Sequence, residues 1–264
     1  MKQLKILFIG DIIGKLGREV CRQVLPDLKK KYSPDLIIAN GENSAHGYGI
    51  TEKVYKELTE MGIEAITMGN HVWDKKELAD KIDQLPLVVR PANYPPGVPG
   101  GDHLIINKAG VKIGIMNLSG RTFMPPLDCP FQAAERVVSK LKTNVVIVDM
   151  HAEATSEKSA LGWFLDGKVS AVLGTHTHVM TADERILPKG TAFLSDIGMV
   201  GARDSIIGMN KEQILKRFTT QMPERFEPTD SGPGIFNAVF LKVDAISGQA
   251  KEIKRIVQVV ESSK

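Results

Sequence analysis

Residues 5–11 read KILFIGD, a short apolar run that ends on a glycine and an acidic residue. Comparable runs recur along the chain at 36–40 (LIIAN), 65–69 (AITMG), 111–116 (VKIGIM), 145–149 (VVIVD), 171–174 (AVLG), 191–194 and 236–243. Most are continuous rather than alternating, which is typical of strands covered on both faces. Amphipathic stretches predict helices over 18–31, 51–61, 75–84, 131–142 and 156–166. This alternation predicts an α/β fold built in layers.

The last third of the chain has a different pattern. Only one convincing helix, over 211–220, lies among the strand-like segments around 191, 236 and 251–260. This predicts a mixed or antiparallel second sheet there. Since no repeat or linker divides the sequence, we expect one domain over residues 1–264. The segment 91–101 (PANYPPGVPGG) predicts a long surface loop.

Composition excludes several classes of protein. The 34 Lys and Arg residues against 31 Asp and Glu leave a net charge of +3, and aromatics make up 6% of the chain. With no basic stripe interleaved with aromatics, a nucleic-acid partner is not expected. Two separated cysteines fit a reducing compartment. No apolar run approaches the ~20 residues of a membrane span, so the sequence predicts a soluble, cytoplasmic protein.

Polar residues follow five of the predicted strands directly. They are Asp11, Glu42 with Asn43, Asn70 with His71, His151, and His176 with His178. Because strand carboxyl ends share one edge of an α/β sheet, we expect these side chains to form a single cluster. Taken alone, Asp11 fits a helix cap and His151 a core histidine, but five such coincidences are improbable. His176 and His178, two apart on an extended segment, should point the same way.

The chemistry of this set indicates a metal site. Carboxylates, amides and imidazoles without a thiolate suit Mn²⁺, Fe or Zn²⁺ better than Ca²⁺. Seven or eight ligands exceed the needs of one tetrahedral ion and suit two ions that share a carboxylate, an arrangement used in phosphoester hydrolysis. The glycines at 10, 14 and 17 lack dinucleotide-loop spacing, and neither a Walker A motif nor a GxSxG elbow occurs.

Five motifs resemble the YmdB family of bacterial calcineurin-like metallophosphoesterases: GDIIG, GEN with AHG, MGNHVWD, DMHAEATSEK and GTHTHVMTAD. The resemblance covers nearly the whole chain. The wider superfamily usually has His where Ile13 stands and Asp where Glu42 stands, and both departures are typical of the YmdB branch. The resemblance implies a layered α/β/β/α sandwich of the metallophosphoesterase type, with two mixed sheets flanked by helices.

The resemblance also implies roles for the strand-end residues. Asp11, Glu42, Asn43 and His178 would surround one metal, and Asn70, His151 and His176 the other. Glu42 would bridge the two divalent ions, with iron or manganese expected and zinc as the alternative. The implied activity is a phosphodiesterase acting on cyclic nucleotides such as 2′,3′-cyclic AMP. A metal-bound hydroxide would attack phosphorus in line, and His71 would be the general acid.

Other readings of the sequence stay open. One is a metal-dependent nucleotide-binding signalling protein with little turnover, which would have no need of the acid His71. Another is a phosphatase or nuclease of the same superfamily. Arg121, Thr122 and the 91–101 loop fit either a substrate pocket or structural support. The sequence is compatible with a homo-oligomer.

Overall fold

Residues 2–261, which the computed structural model describes, form fourteen strands and six α-helices. The strands are β1 (Gln3–Ile9), β2 (Asp11–Ile12), β3 (Leu36–Asn40), β4 (Ala65–Thr67), β5 (Val88–Val89), β6 (His103–Lys108), β7 (Val111–Ser119), β8 (Val145–His151), β9 (Ala171–Thr175), β10 (Arg185–Ile186), β11 (Ala192–Leu194), β12 (Met199–Ala202), β13 (Gly234–Asp244) and β14 (Ala250–Val260). The helices are α1 (Gly14–Tyr32), α2 (Glu52–Glu60), α3 (Lys76–Lys81), α4 (Pro130–Leu141), α5 (Thr155–Phe164) and α6 (Lys211–Thr220).

The strands form two mixed sheets. The first has the order β2-β12-β13-β1-β3-β4-β5, with β14 also paired to β13, and the second has the order β10-β11-β9-β8-β7-β6. In the first sheet β1, β3, β4 and β5 run parallel, whereas β13 is antiparallel to β1, β12 and β14. In the second sheet β7, β8, β9 and β11 run parallel between two antiparallel edge strands.

The continuous apolar strands follow from this layering. In β1, Leu4, Ile6 and Phe8 pack in the layer between the two sheets, and Leu7 and Ile9 pack in the layer under α1 and α2. In strand β8, Val145 and Ile147 likewise pack between the two sheets, and Val146 and Val148 pack under α4 and α5. Each central strand is therefore apolar on both faces. The order helix, sheet, sheet, helix confirms the predicted fold class.

The prediction of a mixed second sheet in the last third of the chain is right for the segment around 191, which is β11 of that sheet, and wrong for the segments around 236 and 251–260. The long strands β13 and β14 return to the first sheet, where β13 pairs with β1 over Gln3–Ile9. The second sheet instead begins in the middle of the chain, at β6. A local apolar pattern identifies a strand but carries no information about its partner, which is set by long-range pairing.

The segment 91–101 is only partly a surface loop. Ala92 and Asn93 are buried, and the amide of Asn93 donates to the carbonyls of Ser119 and Asp128. The guanidinium of Arg90 donates to the carbonyls of Pro91, Val98 and Pro99 and so organises the loop from inside. Among residues 2–261, no helix has both the length and the apolar character needed to cross a membrane.

Candidate metal centre and cleft

The carboxyl ends of strands from both sheets meet at one end of the sandwich. Strands β1, β3 and β4 of the first sheet lead to Asp11, Glu42 and Asn70, and β8 and β9 of the second lead to His151 and His176. The predicted single cluster is therefore formed, by the edges of two sheets rather than one. The side chains of Asp11, Glu42 and His151 have no exposed surface.

The first half of the cluster is centred on Nε2 of His151. This nitrogen lies 2.9 Å from Oε1 of Glu42, 3.0 Å from Oδ1 of Asn70 and 3.0 Å from Nδ1 of His176. Ligand atoms of Glu42, His151 and His176 all lie within 4.8 Å of one another. Two oxygens and one nitrogen, each of which can bind a cation, thus surround this imidazole nitrogen, as is typical of a metal ligand.

The second half of the cluster lies on the other side of Glu42. Nδ2 of Asn43 lies 3.2 Å from Oε1 of Glu42 and 3.1 Å from Nε2 of His178. That nitrogen of His178 is 3.9 Å from Oδ1 of Asp11. A half-turn of the Asn43 amide exchanges its nitrogen for its oxygen, which is the atom that binds cations. Oε1 of Glu42 thus touches both halves.

Hydrogen bonds fix which nitrogen of two histidines faces the cluster. Nδ1 of His178 lies 2.8 Å from the carbonyl oxygen of Ile207, which can only accept, so the proton is on Nδ1 and the Nε2 lone pair faces Asp11 and Asn43. Nδ1 of His151 donates to Oγ1 of Thr175 at 2.8 Å, because the Thr175 hydroxyl itself donates to Asp149 at 2.6 Å. Such outer partners orient metal ligands.

The prediction that His176 and His178 lie on an extended segment is wrong. Strand β9 ends at Thr175, and the two histidines have φ angles of 100° and 66°, in a region that L residues rarely adopt. Oδ2 of Asp196 holds the loop by accepting from the backbone and hydroxyl of Thr177 at 3.1 and 2.7 Å. The buried ammonium of Lys158 donates to the same oxygen at 2.6 Å. The two rings consequently face different halves of the cluster.

The buried carboxylates create a site that attracts positive charge. Burial raises the pKa of Glu42, but the charge and hydrogen bond of His151 outweigh burial and bring this pKa to about 2. Burial lowers the pKa of His151, and the charge of Glu42, followed by that of Asp11, outweighs it and raises the value to about 9. Burial and the charge of His151 lower the pKa of His176 to about 3, so its imidazole is neutral, the form that binds metals.

Two further observations fit a bound cation. Oδ1 of Asp11 is buried and has no hydrogen-bond partner among residues 2–261, and burial raises the pKa of this carboxyl well above its usual value. A Cβ added to Gly69 would lie 2.2 Å from Oε2 of Glu42 and 2.4 Å from Nε2 of His151. The glycine therefore keeps the space between these ligands open. The donor set, its unpaired oxygen and this space all fit divalent metal ions.

His71 lies beside the cluster rather than in it. Its backbone N–H donates to Oε2 of Glu42 at 3.1 Å, and Nδ1 of its ring lies 2.8 Å from the carboxylate of Asp74. The ring also packs edge-on against Tyr48, with centroids 5.0 Å apart. These contacts hold the ring and leave Nε2 as the nitrogen available to a molecule in the adjacent cleft.

A cleft of about 360 Å³ opens over the cluster. Its polar wall contains Glu42, Asn43, Tyr48, His71, Glu153, His176, Thr177 and His178, and its apolar wall contains Ile206, Ile207, Met209, Ile214, Phe218 and Phe226. Neither Arg121, Thr122 nor the 91–101 loop lines it. The backbone N–H groups of Arg121 and Thr122 donate to Glu157, in keeping with the structural alternative.

Comparison with protein families matches residues 7–256 to the family described as YmdB-like protein. The chain belongs to the YmdB-like family. The 2′,3′-cyclic-nucleotide 2′-phosphodiesterase of Bacillus subtilis (strain 168) is 50% identical over 256 residues, which cover 96% of this chain and 97% of that protein. The family predicted from the sequence motifs is confirmed.

Two crystal structures resemble this YmdB-like chain over nearly its full length. One, described as a novel phosphatase from Mycoplasma pneumoniae, is 39% identical, with a TM-score of 0.93 over 99% of this chain and 95% of the other. The second, a hypothetical protein from Thermus thermophilus, is 43% identical, with a TM-score of 0.92 over 97% and 100% of the two chains.

Sequence reasoning missed the residues of this YmdB-like protein that support the cluster. Asp149 and Asp196 are buried acidic residues at the ends of apolar runs. Their position after those runs was a usable signal in the sequence. Lys158 lies on an amphipathic helix, where a lysine normally faces solvent, and it gave no signal. Thr175 and Gly69 are within the quoted motifs, but their function depends on contacts with His151 that only folding creates.

Proposed function

We propose that this protein is a metal-dependent phosphodiesterase that hydrolyses 2′,3′-cyclic nucleotides in the cleft. The observation that carries the proposal is the position of Oε1 of Glu42, which lies 2.9 Å from His151 and 3.2 Å from Asn43 and so joins the two ligand groups. Two ligand groups sharing one carboxylate suit phosphoester hydrolysis. The identity of 50% with a protein named as a 2′,3′-cyclic-nucleotide phosphodiesterase supports the same class of reaction.

Two divalent ions would be held by the two groups. Asp11, Asn43 and His178 would hold one, Asn70, His151 and His176 the other, and Glu42 both. Iron or manganese fits the nitrogen and oxygen donors, with zinc as the alternative. When bound, such ions supply Lewis acidity, which lowers the pKa of water and neutralises charge on phosphoryl oxygens. Asp149, through Thr175, keeps the His151 ring in its orientation.

His71 is the proposed general acid. The carboxylate of Asp74 accepts from Nδ1 and orients the ring, so that a proton on Nε2 would be available to the substrate. That proton would pass to the leaving oxygen as its bond to phosphorus breaks. A nucleotide-binding protein without turnover has no need of such a group.

The first experiment measures metal content and hydrolysis of 2′,3′-cyclic AMP for wild type and Glu42→Gln. We expect about two metals per wild-type chain, with both metal and activity lost in the variant. Glu135→Gln is the matched control, because Glu135 is 55% exposed and pairs with Lys168 on the surface. An active Glu42→Gln, or a wild type inactive after loading with Mn²⁺ or Fe²⁺, would contradict the proposal.

The role of His71 is tested by varying the leaving group. His71→Ala should slow 2′,3′-cyclic AMP hydrolysis by about 10²–10⁴-fold, and slow a nitrophenyl diester much less because nitrophenolate needs no proton. His103→Ala is the control, since Nδ1 of His103 lies 2.7 Å from Asp102 in a similar pair that does not line the cleft. An equal loss with both substrates would assign His71 to positioning instead.

A phosphatase activity is the second candidate, because the Mycoplasma pneumoniae structure is described as a phosphatase. Rates for a cyclic nucleotide, a phosphomonoester and a short RNA separate the candidates. The proposal expects the cyclic diester to be preferred by kcat/KM. A higher value for the monoester would replace phosphodiesterase by phosphatase, and a higher value for RNA would favour a nuclease.

We further propose that residues 1–264 form a single metallophosphoesterase domain. Both sheets supply residues to one cluster, and the C-terminal strand β13 pairs with the N-terminal β1, which supports one unit. Two free cysteines, Cys21 and Cys129, support a cytoplasmic location.

A further inference from the structure

The apolar side chains that line the cleft take no part in the proposed chemistry. They are Ile206, Ile207, Met209, Ile214, Phe218 and Phe226. Phe218 is 68% exposed and Ile207 47% exposed, although burying such side chains is normally favourable. Exposed apolar groups gathered beside a polar site are typical of ligand recognition.

The wall is fixed to the cluster by a two-residue turn. Ile206 and Met209 exchange backbone hydrogen bonds of 3.0 Å across Ile207 and Gly208, whose φ angles are 49° and 95°. A β-branched residue at positive φ is costly, and Asn or Asp is usual at this position of such a turn. The carbonyl of Ile207 accepts from His178, so the same residue contacts a proposed metal ligand and lines the cleft.

Helix α6 supplies two more residues of the apolar wall. Ile214 is buried and anchors the helix, and Phe218, one turn later on the same face, reaches the cleft. Phe226 follows in the segment after the helix, where the backbone N–H groups of Asn210 and Thr229 bond to the carbonyls of Glu227 and Gly208. Two aromatic rings therefore line the same cleft as Glu42 and His71.

We propose that this apolar wall is the nucleobase subsite, and that it binds the flat face of the base without reading its identity. The inference rests on the proposed function, which brings a cyclic phosphate to the ligand cluster in the same cleft. Aromatic rings bind any base through its π face. The six side chains of the wall offer no hydrogen-bond donor or strong acceptor to the base edges that distinguish A, G, C and U. Purines, which are larger, should bind somewhat better than pyrimidines.

The test compares a cyclic diester that has a base with one that lacks it. Initial rates are measured for 2′,3′-cyclic AMP, 2′,3′-cyclic UMP and glycerol 1,2-cyclic phosphate with metal-loaded wild type, Phe218→Ala and Leu215→Ala. Leu215 is the matched control because it is on the same helix, is 53% exposed and does not line the cleft. Phe218 is exposed on a helix, so its replacement by alanine should leave folding intact.

We expect Phe218→Ala to raise KM for both nucleotides by about tenfold, with similar factors for the two, and to leave glycerol 1,2-cyclic phosphate unaffected. Leu215→Ala should match wild type throughout. An unchanged nucleotide KM in Phe218→Ala, or an equal loss with the substrate that lacks a base, would overturn the inference. So would a strong preference of wild type for one base.

Failure of the proposed function would look different, since wild type would then hydrolyse none of the three diesters. Binding of adenosine 3′-monophosphate, measured by calorimetry on the same proteins, still decides the inference in that case. A larger Kd for Phe218→Ala than for Leu215→Ala would support the base subsite. Equal Kd values in the two variants would overturn it.

Discussion

The two walls of the cleft come from different parts of the fold and are held in different ways. The ligand wall consists of the cluster residues at the strand ends of both sheets, of which Glu42 lines the cleft, while Asp11 and His151 are buried and do not line it. The apolar wall comes from residues 206–226, which hold only helix α6 and its flanking turns, and Phe218 is mostly exposed. Groups that perform chemistry must be fixed to a fraction of an ångström, whereas groups that bind a flat base need only present area. The walls should therefore respond differently to mutation.

Of the substitutions considered, Gly69→Ala should have the largest effect, because it should disrupt the ligand wall. Its new methyl group would lie between Glu42 and His151, closer to their side chains than any normal contact. We expect metal binding to fail and kcat/KM to fall by at least about 10³-fold, measured by metal analysis and initial rates. Gly201→Ala is the control, since a Cβ there meets no atom closer than 3.4 Å. Retained metal in Gly69→Ala would show that the ligands lie elsewhere.

Lys158→Met tests the buried charge that holds the His176–His178 loop. The substitution removes the ammonium that lies 2.6 Å from the carboxylate of Asp196, in a position almost closed to solvent. We expect a loss of about 3–5 kcal/mol in the free energy of unfolding, measured by urea denaturation. Lys168→Met, which removes an exposed partner of Glu135, should cost no more than about 1 kcal/mol. Similar losses of unfolding free energy in the two variants would show that Lys158 contributes no more than an exposed lysine.

Thr175→Val sharpens the distinction between ligands and the groups that orient them. The substitution removes the hydroxyl that accepts from Nδ1 of His151. We expect metal affinity to fall by about 10–100-fold, measured by competition with a chelating dye. Thr67→Val removes a similar hydroxyl bond to Asp149, of 2.5 Å, but leaves the contact with His151. An equal loss of affinity in both variants would assign the effect to Asp149 alone.

Ile207→Asn should have the smallest effect, and its two consequences should have opposite signs. Asparagine tolerates positive φ, so stability should rise by about 1 kcal/mol and Tm by about 2–4 °C, measured by thermal denaturation. The apolar contact with the base is lost, so KM for 2′,3′-cyclic AMP should rise a few-fold. A lower Tm would show that the Ile207 side chain stabilises the fold rather than the complex with substrate.

The ligand wall could be predicted because its logic is local. Its proposed ligands lie at or shortly after the ends of buried apolar runs, and parallel strands place their carboxyl ends together whatever the loops do. The sequence predicts in this way Asp11, Glu42, Asn43, Asn70, His71, His151, His176 and His178. The sequence does not give the positive φ angles of His176 and His178, because the Asp196 and Lys158 contacts that hold them come from distant segments.

The apolar wall could not be predicted for a related reason. Phe218 and Leu215 are equivalent in a helical pattern, and only the position of α6 over the cleft separates a residue that lines it from one that does not. The same holds for β13, whose pattern predicts a strand but not its pairing with β1. The sequence by itself determined the strands, the layers and the chemical types gathered at their ends, because these follow from periodicity. Only the tertiary structure decided which surfaces meet across the cleft, because such contacts join segments whose spacing along the chain carries no signal.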